Sequence, residues 1–254
     1  MLQVLLTETQ SRDCLRAARS LVKGPENPGT ERYRTELRCQ LDRAEQLAGR
    51  VAVLKWLADA DLPLPDETRD ALRAETYGPG QDVPLVGGFL VPQVRICTLP
   101  AYAWWLLVSK YEFASSVWIC ASPGHGRCAQ VGDFDRELRC NLIGYVYWRD
   151  FFDADGLPWF SFGVGQRLLD RRFLGTMVRL ARQRKAIERK GDLKAVQQSA
   201  AKLVSKQTVG QPMEGAEKYG LPIEWFRTDW DELLEQLRSQ MVTGMFPDLD
   251  NGKT

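Results

Sequence analysis

From Glu31 to Ala60, the residues Leu37, Leu41, Ala44, Leu47, Val51 and Leu54 recur at intervals of three and four, with arginines and glutamates between them. That period predicts one amphipathic helix of about 45 Å, and an apolar stripe of that length needs a partner helix or a second subunit to cover it. A second helix is expected from Ser11 to Val22, with Ser11 as N-cap and Leu15, Ala18 and Leu21 on one stripe. Leu2 to Leu6 reads as a short strand before it.

The Pro-, Gly- and Asp-rich stretch after Ala60 predicts a loop carrying one short helix, Asp66 to Thr76, and places a boundary near residue 80. Residues 81–165 form a central strand-helix-helix region. Val83 to Leu99 is strand-like, Tyr102 to Cys120 reads as a buried helix whose β-branched and aromatic content leaves a strand open, and Phe134 to Phe152 as another apolar helix or strand. Residues 166–254 hold a basic helical segment broken near Gly191, and then an acidic helix, Asp229 to Met241, with Asp229 as N-cap and Glu232 at N3. The expected fold class is mainly α with a minor β component (α+β), built on a ribbon-helix-helix core with helical extensions.

At 254 residues and 44% hydrophobic, the chain is long enough to bury a core without staples. Its six cysteines follow no framework rhythm, so reduced thiols are expected. No run of about 18 uncharged apolar residues occurs, and the N-terminus shows no basic region followed by a cleavage site. A cytoplasmic protein away from the membrane is the expectation.

Several chemical signals are weak. Cys120, His125, Cys128 and Cys140 have the residue types for tetrahedral zinc, but their spacing matches no standard zinc pattern. The calcium-loop look of Asp153 to Gly156 fails because Phe151 and Phe162 stand where carboxylates belong. Gly163-Val164-Gly165 lacks the third glycine of a dinucleotide fingerprint, and no Walker lysine follows. The only histidine is His125, which leaves no ready catalytic triad. No catalytic residue, metal or cofactor is expected.

Charge is sorted along the chain. Residues 167–206 hold twelve basic residues against three acidic ones, so a net of +9 sits there and −8 is left for the rest of a chain whose total is +1. Arg171, Arg172, Arg179, Arg182, Arg184, Lys185, Arg189 and Lys190 fall within six helical turns, with positions 171, 178, 182, 185 and 189 roughly on one face. These are the expected phosphate contacts of a nucleic acid. In Pro92 to Leu99, alternation sets Val94, Ile96 and Thr98 on one face and Gln93, Arg95 and Cys97 on the other. Arginine and glutamine on an outward face suit base edges in a DNA major groove, and an edge strand facing solvent explains the pattern equally well.

A long charged helix, a Pro-containing linker, then Gln93-Val94-Arg95-Ile96-Cys97-Thr98-Leu99, Pro100-Ala101-Tyr102-Ala103 and later Glu217-Lys218-Tyr219-Gly220-Leu221-Pro222 resembles the AcaB-like regulators encoded on conjugative plasmids and integrating conjugative elements. That resemblance implies a transcriptional regulator of a mobile element that binds duplex DNA as a homodimer through the strand, with Gln93, Arg95 and Cys97 reading bases. A glycine turn feeding an arginine-rich helix also looks like the guide-RNA-binding or guide-processing subunits of CRISPR effector complexes, where an enzyme would be a metal-independent RNA endonuclease. The third expectation is a non-catalytic interaction subunit of a larger assembly, anchored by Trp225 and Trp230.

Overall fold

The computed structural model describes residues 2–26, 28, 34–64, 66, 69–70, 94–99, 103–110, 117–123, 128–153, 155–162, 167–168, 171–187, 195–196, 198, 211–212 and 217–243. They form two compact units, each assembled from separate stretches of sequence: Met1–Tyr102, Ser115–Val146 and Arg227–Thr254 in the first, Ala103–Ala114 and Tyr147–Phe226 in the second. The expected short helix at Asp66 to Thr76 lies largely outside the described residues.

The first unit opens with β1 (Leu2–Leu6) and α1 (Glu8–Leu21). The N-cap of α1 is Thr7, not Ser11: Thr7 accepts from the Gln10 amide while the Gln10 side chain accepts from the Thr7 amide. A reciprocal pair of this kind satisfies two orphan donors at once, so the helix starts a turn earlier than the apolar stripe alone suggests. Ser11 is buried and donates its hydroxyl to the Thr7 carbonyl.

The long helix is α2 (Glu36–Asp59), capped by Thr35, whose side chain accepts from the Arg38 amide. It packs on α1 and against β1, β2 (Val94–Thr98) and β4 (Val117–Pro123), so a sheet shares with α1 the work of covering its stripe. That sheet has the order β1-β5-β4-β2, with β5 spanning Leu138–Tyr147. β1 runs antiparallel to β5 and β2 parallel to β4. The closest approach of helix and sheet is at Gly49, where an added Cβ would stand 2.7 Å from Thr98 Cγ2. The last helix, α4 (Trp230–Thr243), starts at Asp229, whose carboxylate accepts from the Glu232 amide as expected.

The second unit holds a three-stranded antiparallel sheet in the order β3-β9-β6, built from Trp105–Ser109, Lys218–Pro222 and Phe160–Phe162. A two-stranded pair, β7 (Arg167–Leu168) and β8 (Gln211–Pro212), and the basic helix α3 (Arg171–Ile187) complete it.

The α+β class, with helix the larger share, is therefore what the chain forms. The ribbon-helix-helix core is not. The stretches expected to form its two helices carry β3, β4 and β5, and β2 is a parallel strand within a larger sheet. The reason is burial on both faces. Val117 and Ile119 are buried, and so are Trp118 and Cys120 on the opposite face, so β4 reads as an unbroken apolar run with no visible alternation. Among the described residues no helix is long and apolar enough to cross a membrane.

Candidate nucleic-acid interface

The alternation expected in β2 is present. Thr98 faces α2, donating its hydroxyl to the Gln46 carbonyl at 2.9 Å, while Arg95 and Cys97 lie on the other face, in register with Trp118 and Cys120. That second face is half-buried and rests on the chain's own side chains: the Arg95 guanidinium sits 5.2 Å from the Trp118 ring centre. Cys97 is half-buried against Cys120, whose thiol is pushed well up, first by burial and then by its hydrogen bond with Cys97. Gln93 lies outside the described residues. Of the three expected base readers, two are thus half-buried in a parallel sheet, Arg95 against Trp118 and Cys97 against Cys120.

The zinc reading gains nothing. Cys120 is committed to Cys97, His125 lies outside the described residues, and among the described residues no group of three or more His, Cys, Asp or Glu side chains is placed to hold a metal. Burial pushes the Cys128 and Cys140 thiols up to about 12.

In the second unit, α3 contains six cations and no acidic residue in its seventeen positions. Its described side chains split by face. Met177 and Val178 are buried, while Gly175, Arg179, Arg182 and Gln183 are exposed. Val178, which the sequence places on the cationic face, is turned inward.

The three described cations of α3 have three different surroundings. Arg179 is exposed, and among the described residues it is paired with no carboxylate. Arg182 is also exposed, and it reaches Glu224 with two hydrogen bonds of 3.2 and 2.6 Å, a bidentate fork. Hydrogen bonding to Glu224, and then its charge, hold Arg182 still more firmly in the charged form.

Arg184 is withdrawn from the surface altogether and corrects the expected list of phosphate contacts. Its side chain is 0% exposed, pairs with Asp153 at 2.6 Å, and donates to the carbonyls of Pro158 and Trp159. The guanidinium lies 3.7 Å from the centre of the Trp159 ring, a desolvated cation–π contact. Sequence reasoning missed this, yet a signal was there: Arg184 stands four residues after Leu180 and three before Ile187, on the apolar stripe rather than opposite it. The backbones of Arg171, Arg172 and Lys185 belong to α3, and their side chains lie outside the described set, as do Arg189 and Lys190 entirely.

Asp153 also organises the turn before β6. Its other oxygen accepts from the amides of Asp155 and Leu157 at 3.0 and 2.8 Å, and Gly156 takes the positive φ of 73° that closes the turn. The residues that suggested a calcium loop therefore anchor α3.

The tryptophans expected as contact anchors are packed. Trp225 lies edge-on to Trp159 at 4.6 Å, and Trp230 lies against Trp56 and Tyr145. The exposed tryptophans are Trp104 and Trp148, at 42% and 37%. Trp148 opens a single 3-10 turn, Trp148–Phe151, whose Asp150 accepts from the Tyr147 amide.

Comparison with protein-family models, with curated proteins and with solved structures found no match for this chain.

Proposed function

We propose that this chain binds nucleic acid and grips its phosphate backbone through α3. The observation that carries the reading is a helix with no acid of its own that leaves Arg179 exposed and unpaired among the described residues, within a segment of net +9. Clustered guanidinium groups of this kind neutralise phosphates, release counterions and bind with steep salt dependence.

Duplex DNA, and a regulatory role on a mobile element, is the partner supported by the resemblance to AcaB-like regulators. Because β2 lies in a parallel sheet with Arg95 resting on Trp118, we assign affinity to phosphate contacts rather than to base readout by that strand. An RNA subunit would use the same helix.

The test is titration of the full chain with labelled duplex DNA and with hairpin RNA at about 50 and about 200 mM salt. Binding to either that weakens steeply with salt supports the reading, and Arg179→Ala should lower the salt slope by about 1. Absence of salt-dependent binding to both would leave an interaction subunit and sink the proposal.

A further inference from the structure

We infer that the aromatic surface around Trp148 in the second unit is a stacking site for unpaired nucleobases, so that the nucleic acid held by α3 includes a single-stranded stretch. The inference rests on the proposed function and goes beyond it by naming the class of strand.

Three rings form a continuous run. Trp148 meets Phe152 at 5.8 Å between ring centres, and Phe152 meets Tyr219 at 5.4 Å, each pair tilted by 67°. Phe152 and Tyr219 are half-buried and fix the floor, while Trp148 stands at the open end. A large ring packed on Phe152 and still 37% exposed suits a flat aromatic ligand, because little side-chain freedom is left to lose on binding.

Charge selects among flat ligands. Arg149 follows Trp148 in the chain and is exposed, with its guanidinium 5.0 Å from the Tyr147 ring centre. Among the described residues Arg149 is paired with no carboxylate, while Asp150 caps the turn, Asp153 is buried on Arg184, and Glu217 pairs with Lys110 at 2.8 Å. An exposed ring beside an unpaired guanidinium matches a strand that offers bases and phosphates in alternation. An apolar protein partner would find an uncompensated charge beside the ring.

The run also has a mechanical link to α3. Phe152 is bridged to Pro158, and the Pro158 carbonyl accepts from Arg184. The same short segment therefore carries the rings and holds the basic helix.

The experiment uses the full chain, a fluorescein-labelled oligothymidylate and a duplex of the same length, with binding read by anisotropy. Trp148→Ala should weaken oligothymidylate binding roughly tenfold and leave duplex binding within about twofold. Trp148→Phe should restore most of the loss, and the retained duplex binding of Trp148→Ala separates stacking from a merely structural role, which would lower both. Unchanged oligothymidylate affinity in Trp148→Ala, or equal losses in the Ala and Phe variants, overturns the stacking site. If Arg179→Ala still weakens binding in that case, the phosphate-binding reading stands alone. If the unaltered chain binds neither strand, both readings fail.

Discussion

Replacing Asp153 by Asn removes a charge and keeps the shape of the side chain. Its partner Arg184 is fully buried, lies 3.7 Å from the Trp159 ring centre, and has Asp153 as its counter-ion at 2.6 Å. With the carboxylate neutralised, the guanidinium must stay in the interior on two carbonyls and a ring, and breaking a buried pair by one partner costs about 3–5 kcal/mol. The turn bonds to Asp155 and Leu157 can survive on the amide oxygen, so the loss should come almost wholly from the stranded charge. Urea is the right denaturant, since a salt would screen the pair, and far-ultraviolet circular dichroism follows the unfolding. The informative comparison is the double variant Asp153→Asn with Arg184→Met. Removing both charges should recover most of the stability, since apolar replacement of a buried pair is often neutral or better. A single-variant loss below about 1 kcal/mol, or a double variant as unstable as the single one, would refute the view that α3 is anchored by this pair.

Gly49→Ala should destabilise the first unit by about 1–3 kcal/mol in urea unfolding, because the new Cβ would lie 2.7 and 2.9 Å from Thr98 Cγ2 and Oγ1. Adding Thr98→Ala should return part of that loss. The Cys14, Cys128 and Cys140 thiols are pushed from 9.0 up to about 12, chiefly by burial. Below pH 9 both folded and unfolded thiols keep their protons. Between pH 9 and about 12 only the unfolded chain loses them, so stability should fall as pH rises, by up to about 1.4 kcal/mol per thiol per unit. A urea midpoint that holds steady from pH 8.5 to about 10.5 would count against the buried, protonated thiols. Glu224→Gln should leave the unfolding midpoint unchanged and tighten nucleic-acid binding severalfold at low salt, because it removes a carboxylate that competes with phosphate for Arg182. Weaker binding in that variant would mean that Glu224 holds Arg182 in position for the strand.

What could be read from the residues followed the visibility of each periodic pattern. Helix α2 was legible because its stripe has a polar counter-face in the first half, and Asp229 at α4 because a capping carboxylate acts within three residues. β4 was not, since a strand buried on both faces loses the alternation that identifies it, and Val117 to Cys120 then looks like the inside of a helix; β5 alternates from Arg139 to Gly144 before both faces close, and its stretch read as helix or strand. In β2 the faces were correct and the surroundings unknown: nothing local says that Arg95 will meet Trp118. The same limit holds at the candidate interface. Arg184 sits visibly on an apolar stripe, but its counter-ion is 31 residues earlier in the chain, and the partner of Arg182 is 42 residues later. Pairs at that separation are made by the fold, and charge counting along a segment cannot see them.

The division of the three arginines changes what the basic segment implies for binding. A phosphate contact adds to the salt slope only if it releases counterions. Arg184 is already neutralised by Asp153 and buried, so it adds nothing. Arg182 must first exchange Glu224 for phosphate. A carboxylate is then freed as a phosphate is bound, the net change in screening is small, and the slope contribution falls well below that of an unpaired cation. Arg179 adds a full contact. Arg179→Ala should therefore flatten the salt dependence more than Arg182→Ala does, although the two side chains share one exposed face. In a Glu224→Gln background the two arginines should become equivalent. Equal slopes in the unaltered background would mean that the Arg182–Glu224 fork is open in solution.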